Sequence, residues 1–332
     1  KFSVSLDISR PRGLEIARRL ISMSDIVAEN FTPGVMERRG LGYEDLKKIR
    51  SDIIMFSSSA NGATGPESHI RGYAPIFTAL SGLGDMIGYP DGPPTEVRAS
   101  RDFTSAVYGF FAIMTALIHR QKTGEGQHIE MSSREAIACT IGDSLMDCIM
   151  NSRVQSRTGN RDDIMAPHNC YRCKGEDKWV SIAVANEAEW ESLCTAMGNP
   201  EWAREQRFSD EVSRWRNQEE LDKNIGKWTI NYTYHEVMET LQKVGVAAVP
   251  SYSADDLYGN PHLGARESFQ LGEHPEMGAH LIITCPWKFS ATPPKIYRDA
   301  PLLGQHNDYV YRELLGISRE EIERLTAEKV FY

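Results

Sequence analysis

The sequence has no excess of basic residues, no secretory leader and few cysteines. Its 332 residues include 46 Asp and Glu against 37 Lys and Arg, a formal net charge of −9. Because proteins that bind duplex nucleic acid depend on clustered Lys and Arg, this balance argues against a nucleic-acid-binding protein. The six cysteines, in a chain without an apolar leader after a basic start, are typical of the reducing cytoplasm, where we expect this protein.

Several familiar catalytic signatures are also missing. The sequence contains no phosphate-binding G-x-x-x-x-G-K-[ST], no G-x-G-x-x-G after a strand, no G-x-S-x-G and no H-E-x-x-H. His168, Cys170 and Cys173 lie close together and could ligate a metal, but a structural zinc site normally has four ligands and no second pair follows. We therefore expect no metal here, and a structural turn before a strand near residue 178.

No segment is predicted to cross a membrane. The longest largely apolar run covers residues 106–118. It is too short to span a bilayer and indicates a buried helix instead. With 41 % hydrophobic residues, the chain can bury a sizeable core without a membrane partner.

The length corresponds to about two domains of roughly 150 residues each. Strand-like and helix-like segments alternate over the first 150 residues, beginning with a strand at residues 3–6. This alternation predicts an α/β fold with a mostly parallel sheet that helices cover on both faces. The polar stretch at residues 153–165 is predicted to be a linker, and residues 166–290 mix elements as a small α+β domain does.

Asp102 lies just before the long apolar helix, and its position supports two interpretations. An aspartate there is commonly an N-cap, because its side chain accepts a hydrogen bond from the first turn. The helix N-terminus, with Arg98 and Arg101 nearby, would also stabilise an ionised carboxylate, which is a usable covalent nucleophile. From the local sequence alone, the N-cap is the more common outcome.

A series of ordered motifs identifies a family resemblance. The most distinctive is D-I-V-A-E-N-F-T-P-G-V-M at residues 25–36. The others, in chain order, are residues 5–8 with Pro11-x-Gly13, the triplet 41–43, residues 72–74 with 80–82, residues 91–94, Asp102, residues 123–128, 255–263 and 300–307. From Leu6 to its C-terminus the chain resembles the family III CoA-transferases, a family that includes acyl-CoA racemases. So many blocks in one order make coincidence improbable.

The resemblance implies the fold and the assembly. Residues 1–152 and 297–332 would form a Rossmann-like large domain that binds CoA, and residues 166–290 the smaller α+β domain. Two chains would interlock as a homodimer, or the chain would form a heteromer with a homologous subunit. The family also has a strand–turn–helix unit before the segment at Leu6, so we expect the natural chain to begin several dozen residues earlier.

The resemblance also implies the reaction and its nucleophile. The Asp102 carboxylate would attack an acyl-CoA thioester to form a mixed anhydride, and CoA thiolate would then convert this into an aspartyl-CoA thioester. A small carboxylic acid would displace CoA, so acyl-CoA is a substrate and no cofactor is permanently bound. The implied CoA-binding residues are Leu6, Asp7, Ile8 and Ser9 at the nucleotide, Asn30, Phe31 and Thr32 after a strand, Arg38, and Arg71, Gly72 and Tyr73 along the pantetheine.

Without the motif, each of these residues would have an ordinary structural role rather than a role in binding CoA. Arg38 and Arg71 would usually be solvated surface charges, although a guanidinium suits phosphate. Phe31 and Tyr73 would usually pack in a core. The family often has Lys at the position of Ser9, so this contact is weakened, although Arg10 is adjacent.

Two departures from the family pattern bear on function. Racemases of the family carry a His–Asp pair where this chain has Tyr73 and Ala74, and racemisation needs an acid and a base on opposite faces of the α-carbon. The missing His favours CoA transfer over racemisation. The glycine run that some members carry over the catalytic aspartate is absent from residues 161–167. The alternatives are an acyl-CoA racemase or epimerase, or a subunit of a heteromer that is inactive alone.

Overall fold

The computed structural model describes residues 1–95 and 100–331, with no description of the side chains of residues 100 and 101. The chain divides into two compact units. Unit 1 comprises residues 1–87, 94–156 and 270–332, and unit 2 comprises residues 88–93 and 157–269.

The elements of unit 1 alternate between strands and helices in its first half. The strands are β1 (Ile26–Glu29), β2 (Ile54–Ser59) and β3 (His128–Ser132). The helices up to residue 151 are α1 (Pro11–Ser22), α2 (Val35–Arg38), α3 (Tyr43–Ile49), α4 (Ala74–Leu80), α5 (Leu83–Met86), α6 (Ser100–Thr123), α7 (Ser133–Ala138) and α8 (Gly142–Asn151).

The elements of unit 2 are mixed. Its strands are β4 (His168–Arg172), β5 (Trp179–Ala183) and β6 (Ala247–Pro250), and its helices are α9 (Glu187–Ala196), α10 (Glu211–Arg216), α11 (Gln218–Thr229), α12 (Tyr234–Gln242), α13 (Ala254–Tyr258) and α14 (Pro261–Ala265). The hairpin of β7 (Phe269–His274) and β8 (Gly278–Ile283), a π-helix (Asp308–Leu314) and α15 (Arg319–Ala327) complete the chain.

Strands β1, β2 and β3 form the parallel sheet that the sequence predicts, in the order β1-β2-β3. Successive side chains of a strand point to opposite faces, so neighbouring residues of β2 meet different helices. Met55 is buried in an apolar cluster with Leu46 of α3 and Ile21 of α1. Phe56, on the opposite face, lies against Gly109 of α6, where an added Cβ would be 2.6 Å from its ring. Helices therefore cover both faces, and this prediction is confirmed.

The entry into β3 depends on a close backbone approach at Gly126. A Cβ on this residue would lie 2.1 Å from the Ile53 carbonyl oxygen and 2.4 Å from the Asp52 carbonyl carbon. Next to it, the Met55 N–H donates to the Gln127 carbonyl at 3.0 Å. The absence of a side chain at Gly126 thus lets β3 enter the sheet directly beside β2.

The strand expected at residues 3–6 is absent from the described residues, so that prediction is wrong. The segment is extended, but its partners lie near the C-terminus rather than in the sheet. The Ser5 N–H donates to Asn307 Oδ1 at 3.0 Å, and Tyr311 Oη donates to the Ser5 carbonyl at 2.8 Å. The Asp7 N–H donates to the Val330 carbonyl at 2.9 Å. Alternating side chains indicate extended backbone, but they do not show which element supplies the hydrogen-bond partners of that backbone.

Helix α6 also differs from the prediction for its apolar run. It has 24 residues, and residues 102–123 are long and apolar enough to cross a membrane by length and composition alone. One side packs on the sheet through Gly109, and Ala116 is buried. Phe103 and Phe111, by contrast, are each 72 % exposed. The helix is therefore only partly buried within this chain. The sequence did not predict this exposure, because a run that is apolar all round does not indicate what covers each side of the helix.

Unit 2 is built on the antiparallel sheet β4-β5-β6, which packs with α9, α11 and α12 around an apolar cluster. His168 and Cys170 lie on β4, and the turn expected before the next strand lies at residues 174–177, between Cys173 and β5. Cys173, just after β4, is fully buried, and this burial raises the pKa of its thiol to about 11.

We predict that Gly126→Ala destabilises unit 1 by about 3 kcal/mol, because the added methyl group meets backbone atoms that cannot move without shifting β2. The measurement is the midpoint of urea unfolding. Gly142→Ala is the matched control, since an added Cβ at this helical position meets nothing within 4 Å. Equal midpoints for the two variants would contradict the close approach.

Candidate active site

A cavity of unit 1, called the main cavity to distinguish it from a smaller groove described below, lies where the parallel strands end. The carboxyl ends of β1 and β2 leave the sheet at one edge, the usual place for ligands in such sheets. The cavity has a volume of about 550 Å³ and is lined by two loops and the first turns of α4. One loop, residues 30–33, follows β1. The other follows β2 and contributes residues 60, 68 and 70–73, and Ser59 at the end of β2 also lines the cavity.

The structure brings two of the predicted CoA-binding segments together at this cavity. Asn30, Phe31 and Thr32 lie on one wall, and Arg71, Gly72 and Tyr73 lie on the other. About 40 residues separate the two groups in the chain. They meet because β1 and β2 are adjacent and parallel.

Two aromatic side chains supply the apolar surface of this cavity. Phe31 is 50 % exposed and Tyr73 is 86 % exposed, so neither packs in a core and that alternative is wrong for both. Ile76 of α4 is 44 % exposed beside them. Exposed apolar surface of this kind, next to polar side chains such as Asn30 and Arg71, suits an organic ligand.

The two predicted arginines lie at different distances from the cavity. Arg71 is exposed and lines it. Arg38, the last residue of α2, is exposed and its guanidinium lies over Gly34, where an added Cβ would be 2.7 Å from Nη1. Gly34 lines a smaller groove that shares Phe31, Thr32 and Pro33 with the main cavity. Arg71 is therefore placed at the cavity, and Arg38 beside the neighbouring groove.

The predicted nucleotide segment, residues 6–9, forms the turn that leads into α1. Leu6 and Ile8 are partly buried against two apolar clusters. Asp7 accepts hydrogen bonds from the hydroxyl and the N–H of Ser9, which hold the pKa of its carboxyl below the ordinary value, and Arg10 lies 3.2 Å from it. None of the four is among the described residues that line the main cavity. Their contact with CoA stays a prediction.

Asp102 lies in the first turn of α6, which begins at Ser100, and it is exposed. It is therefore not the N-cap, because it is already inside the helix. A carboxylate in a first turn is still stabilised by the positive end of the helix dipole. Of the two arginines expected nearby, Arg98 lies outside the described residues, and the side chain of Arg101 is not described either.

A row of polar side chains that lines the smaller groove was not identified from the sequence. Glu29 of β1, Ser57 of β2 and Glu130 of β3 are register partners, so they lie side by side on one face of the sheet. His128, two residues before Glu130, lies on the same face, with Nε2 3.0 Å from Ser57 Oγ. The signal in the sequence is the alternation of polar and apolar residues from His128 to Met131.

Within residues 1–95 and 100–331, no three His, Cys, Asp or Glu side chains come together as a metal site. The carboxylates of Glu29 and Glu130 instead accept hydrogen bonds from backbone N–H groups.

Comparisons with known proteins agree on one family. The family model described as CoA-transferase family III matches residues 1–307. The chain is 32 % identical to the succinyl-CoA–D-citramalate CoA-transferase of Chloroflexus aurantiacus, over 99 % of this chain and 82 % of that protein. It is 31 % identical, with the same coverage, to the beta subunit of succinyl-CoA–L-malate CoA-transferase from the same organism.

A solved structure gives the same answer. A CaiB/BaiF family protein from Brucella suis superposes with a TM-score of 0.87 and 28 % identity, over 94 % of this chain and 81 % of that one. The mixed α/β fold with its parallel sheet is therefore shared with a member of a known structural family.

We predict that Tyr73→Ala weakens binding of CoA about fivefold, because an exposed ring that packs on a ligand contributes about 1 kcal/mol. The measurement is the dissociation constant by isothermal titration calorimetry. Tyr297→Ala is the matched control, since Tyr297 is 84 % exposed in the same unit and is not among the described residues that line the cavity. Equal affinities for both variants would rule out Tyr73 as a CoA contact.

Proposed function

Because the chain belongs to CoA-transferase family III, we propose that it moves CoA from an acyl-CoA donor to a carboxylic acid, with Asp102 as the nucleophile. The observation that carries this proposal is the match to the family over residues 1–307, with Asp102 exposed in the first turn of α6. The cavity between the loops after β1 and β2 lies in the same unit of the chain.

The proposed exchange has four steps. An Asp102 oxygen attacks the donor thioester, the C–S bond breaks, and a mixed anhydride and CoA thiolate form. The thiolate attacks the aspartyl carbonyl carbon, which releases the donor acid and leaves an aspartyl-CoA thioester. The acceptor carboxylate displaces the thiolate to form a second anhydride. The thiolate then attacks the acceptor's carbonyl carbon and frees Asp102. Covalent catalysis of this kind divides one difficult exchange into easier steps.

The cavity fits the ligand of this reaction. Phe31, Tyr73 and Ile76 offer exposed apolar surface to a pantetheine arm. The Arg71 guanidinium at its wall suits a phosphate, because its planar donors bind phosphate oxygens in pairs. Arg38 beside the smaller groove offers a second cation for the same purpose.

We propose a short dicarboxylic acid as one of the two substrates. The two relatives compared above are named for succinyl-CoA as donor and for D-citramalate or L-malate as acceptor. All these acids carry a second carboxylate, which needs a cation in the acyl site. Arg101, one residue before Asp102 in the sequence, is the first candidate for that role.

We predict that Asp102→Asn lowers the rate of CoA transfer from succinyl-CoA by about 10⁴-fold, because the amide cannot act as the nucleophile. With wild-type protein, succinyl-CoA and hydroxylamine, we expect an aspartyl hydroxamate at residue 102, identified by peptide mass spectrometry. Asp143→Asn is the matched control, since Asp143 is also an exposed carboxylate in the first turn of a helix of unit 1.

Two results would contradict this mechanism. One is activity that survives Asp102→Asn together with no hydroxamate at residue 102. The other is solvent deuterium that appears at the α-carbon of the acyl group without exchange of CoA, which would indicate an acyl-CoA racemase instead.

We further propose that the chain works as a homodimer, with α6 in the interface. Phe103, Val107, Phe110 and Phe111 recur at helical spacing on α6 and are each more than 60 % exposed. A contiguous apolar surface of this kind marks an interaction site in a globular protein. Because the other side of the helix packs on the sheet of unit 1, a second chain fits this surface better than a bilayer does.

We predict that Phe110→Glu converts a dimer of twice 37.4 kDa into a monomer, because it places a charge in the apolar interface. Light scattering after size exclusion gives the mass. Met23→Glu, a change at an isolated exposed residue after α1, should leave the dimer intact. A wild-type monomer that transfers CoA only with a second polypeptide would support the heteromer instead.

A further inference from the structure

The polar row on the sheet places one carboxylate beside each of the two loops that line the cavity. Glu29 is the last residue of β1, and Glu130 is the third residue of β3. Both pair in register with Ser57 of β2, so their side chains leave the same face. With neighbouring strands about 4.8 Å apart, the two α-carbons lie roughly 10 Å from each other.

Glu29 holds the first cavity loop. Its Oε2 accepts a hydrogen bond from the Phe31 N–H at 2.7 Å. This contact fixes the backbone at the point where the chain leaves β1 and turns past the cavity. The direction of the Phe31 side chain, and of Thr32 after it, therefore depends on the Glu29 carboxylate.

Glu130 holds the second cavity loop in the same way. Its Oε1 accepts a hydrogen bond from the Ala63 N–H at 2.7 Å. The preceding residue, Gly62, has a φ of +84°, and an added Cβ would lie 3.1 Å from the same oxygen. The loop backbone thus comes so close to the carboxylate that a glycine is favoured at this position.

Further contacts fix the rest of this loop as far as Ile70, next to Arg71. The Arg134 N–H, at the start of α7, donates to the Ala60 carbonyl at 3.0 Å, and its guanidinium pairs with Glu67. Asn61 Nδ2 lies 3.4 Å from the Ile70 carbonyl, next to Arg71. The loop is therefore tied to β3 and α7 at residues 60, 63 and 67, and to itself at residue 70.

We propose that Glu29 and Glu130 are positioning residues for CoA: each fixes one of the two cavity loops through a backbone N–H and so sets the distance between Phe31 and Tyr73. This inference rests on the proposed function for the identity of the ligand. To hold a loop through its backbone N–H, the side chain must offer an acceptor oxygen, and it needs neither a negative charge nor a transferable proton. A glutamine, whose side chain carries an oxygen of the same reach, should perform it.

The first experiment measures the loops directly, without any ligand. We expect Glu130→Ala to raise the amide hydrogen-exchange rate of residues 60–72 at least about tenfold, and Glu130→Gln to leave it near the wild-type rate. Glu29→Ala and Glu29→Gln should show the same contrast for the amides of residues 31 and 32. Glu44→Ala, at an exposed carboxylate of α3 away from both loops, is the control and should change neither.

The second experiment measures CoA binding and turnover. We expect Glu130→Ala to raise the dissociation constant of CoA and the KM for the acyl-CoA about tenfold, with kcat within about twofold of wild type. Glu130→Gln should bind CoA as tightly as wild type or more tightly, because it keeps the acceptor and removes a negative charge from the neighbourhood of an anionic ligand.

Two outcomes would overturn the inference. One is a glutamine variant that loses activity as the alanine variant does, since Glu130 would then act through its charge or a proton. The other is faster exchange in residues 60–72 with an unchanged dissociation constant for CoA. A failure of the proposed function looks different, because the wild type itself would then neither bind CoA nor transfer it, whatever the exchange rates.

Discussion

The candidate site depends on the parallel pairing of β1, β2 and β3, because parallel strands place all their carboxyl ends at one edge. That edge is where residues 30–33 and 70–73 meet, although the chain forms α2, α3 and β2 between them. The pairing depends in turn on Gly126, where β3 enters beside the backbone of Asp52 and Ile53. A shift of β3 would also move Glu130, and with it the loop that carries Arg71. The pairing of the strands therefore also determines the shape of the cavity.

The parts of the fold that were predictable from the sequence are those with a local signal. Alternating strands and helices predict the parallel sheet, and β1, β2 and β3 form it in parallel as that pattern requires. The strand at residues 3–6 was wrong because its partners, Asn307 and Tyr311, lie some 300 residues later. Extended backbone needs hydrogen-bond partners, and no local pattern tells whether these come from a sheet or from a distant turn. The exposure of Phe103 and Phe111 escaped prediction for a related reason, since composition does not reveal which apolar surface a single chain leaves uncovered.

The residues of the candidate site also divide into those that a sequence motif identified and those that only the structure identified. Asn30, Phe31, Arg71 and Tyr73 were identified through a family motif, and the structure brings them to one cavity. The family motifs contain the residues expected to contact the ligand, so they identified residues that line the cavity. They did not find Glu29 and Glu130 as loop anchors, because that role depends on strand register and on one backbone N–H in each loop. A glutamate in a strand has many ordinary explanations, and only the register row with Ser57 distinguishes these two.

Two carboxylates beside a cavity for an anionic ligand would be unfavourable if their charges faced the ligand. The hydrogen bonds they accept reduce this conflict, because an N–H dipole directed at a carboxylate oxygen offsets part of its negative potential. Arg71 supplies positive charge at the wall of the same cavity, and the second loop carries both this cation and the backbone N–H that Glu130 fixes. Moving the loop would therefore change two quantities together: the position of the cation, and how well the carboxylate is compensated. An anchor of this kind couples the shape of the cavity to its charge.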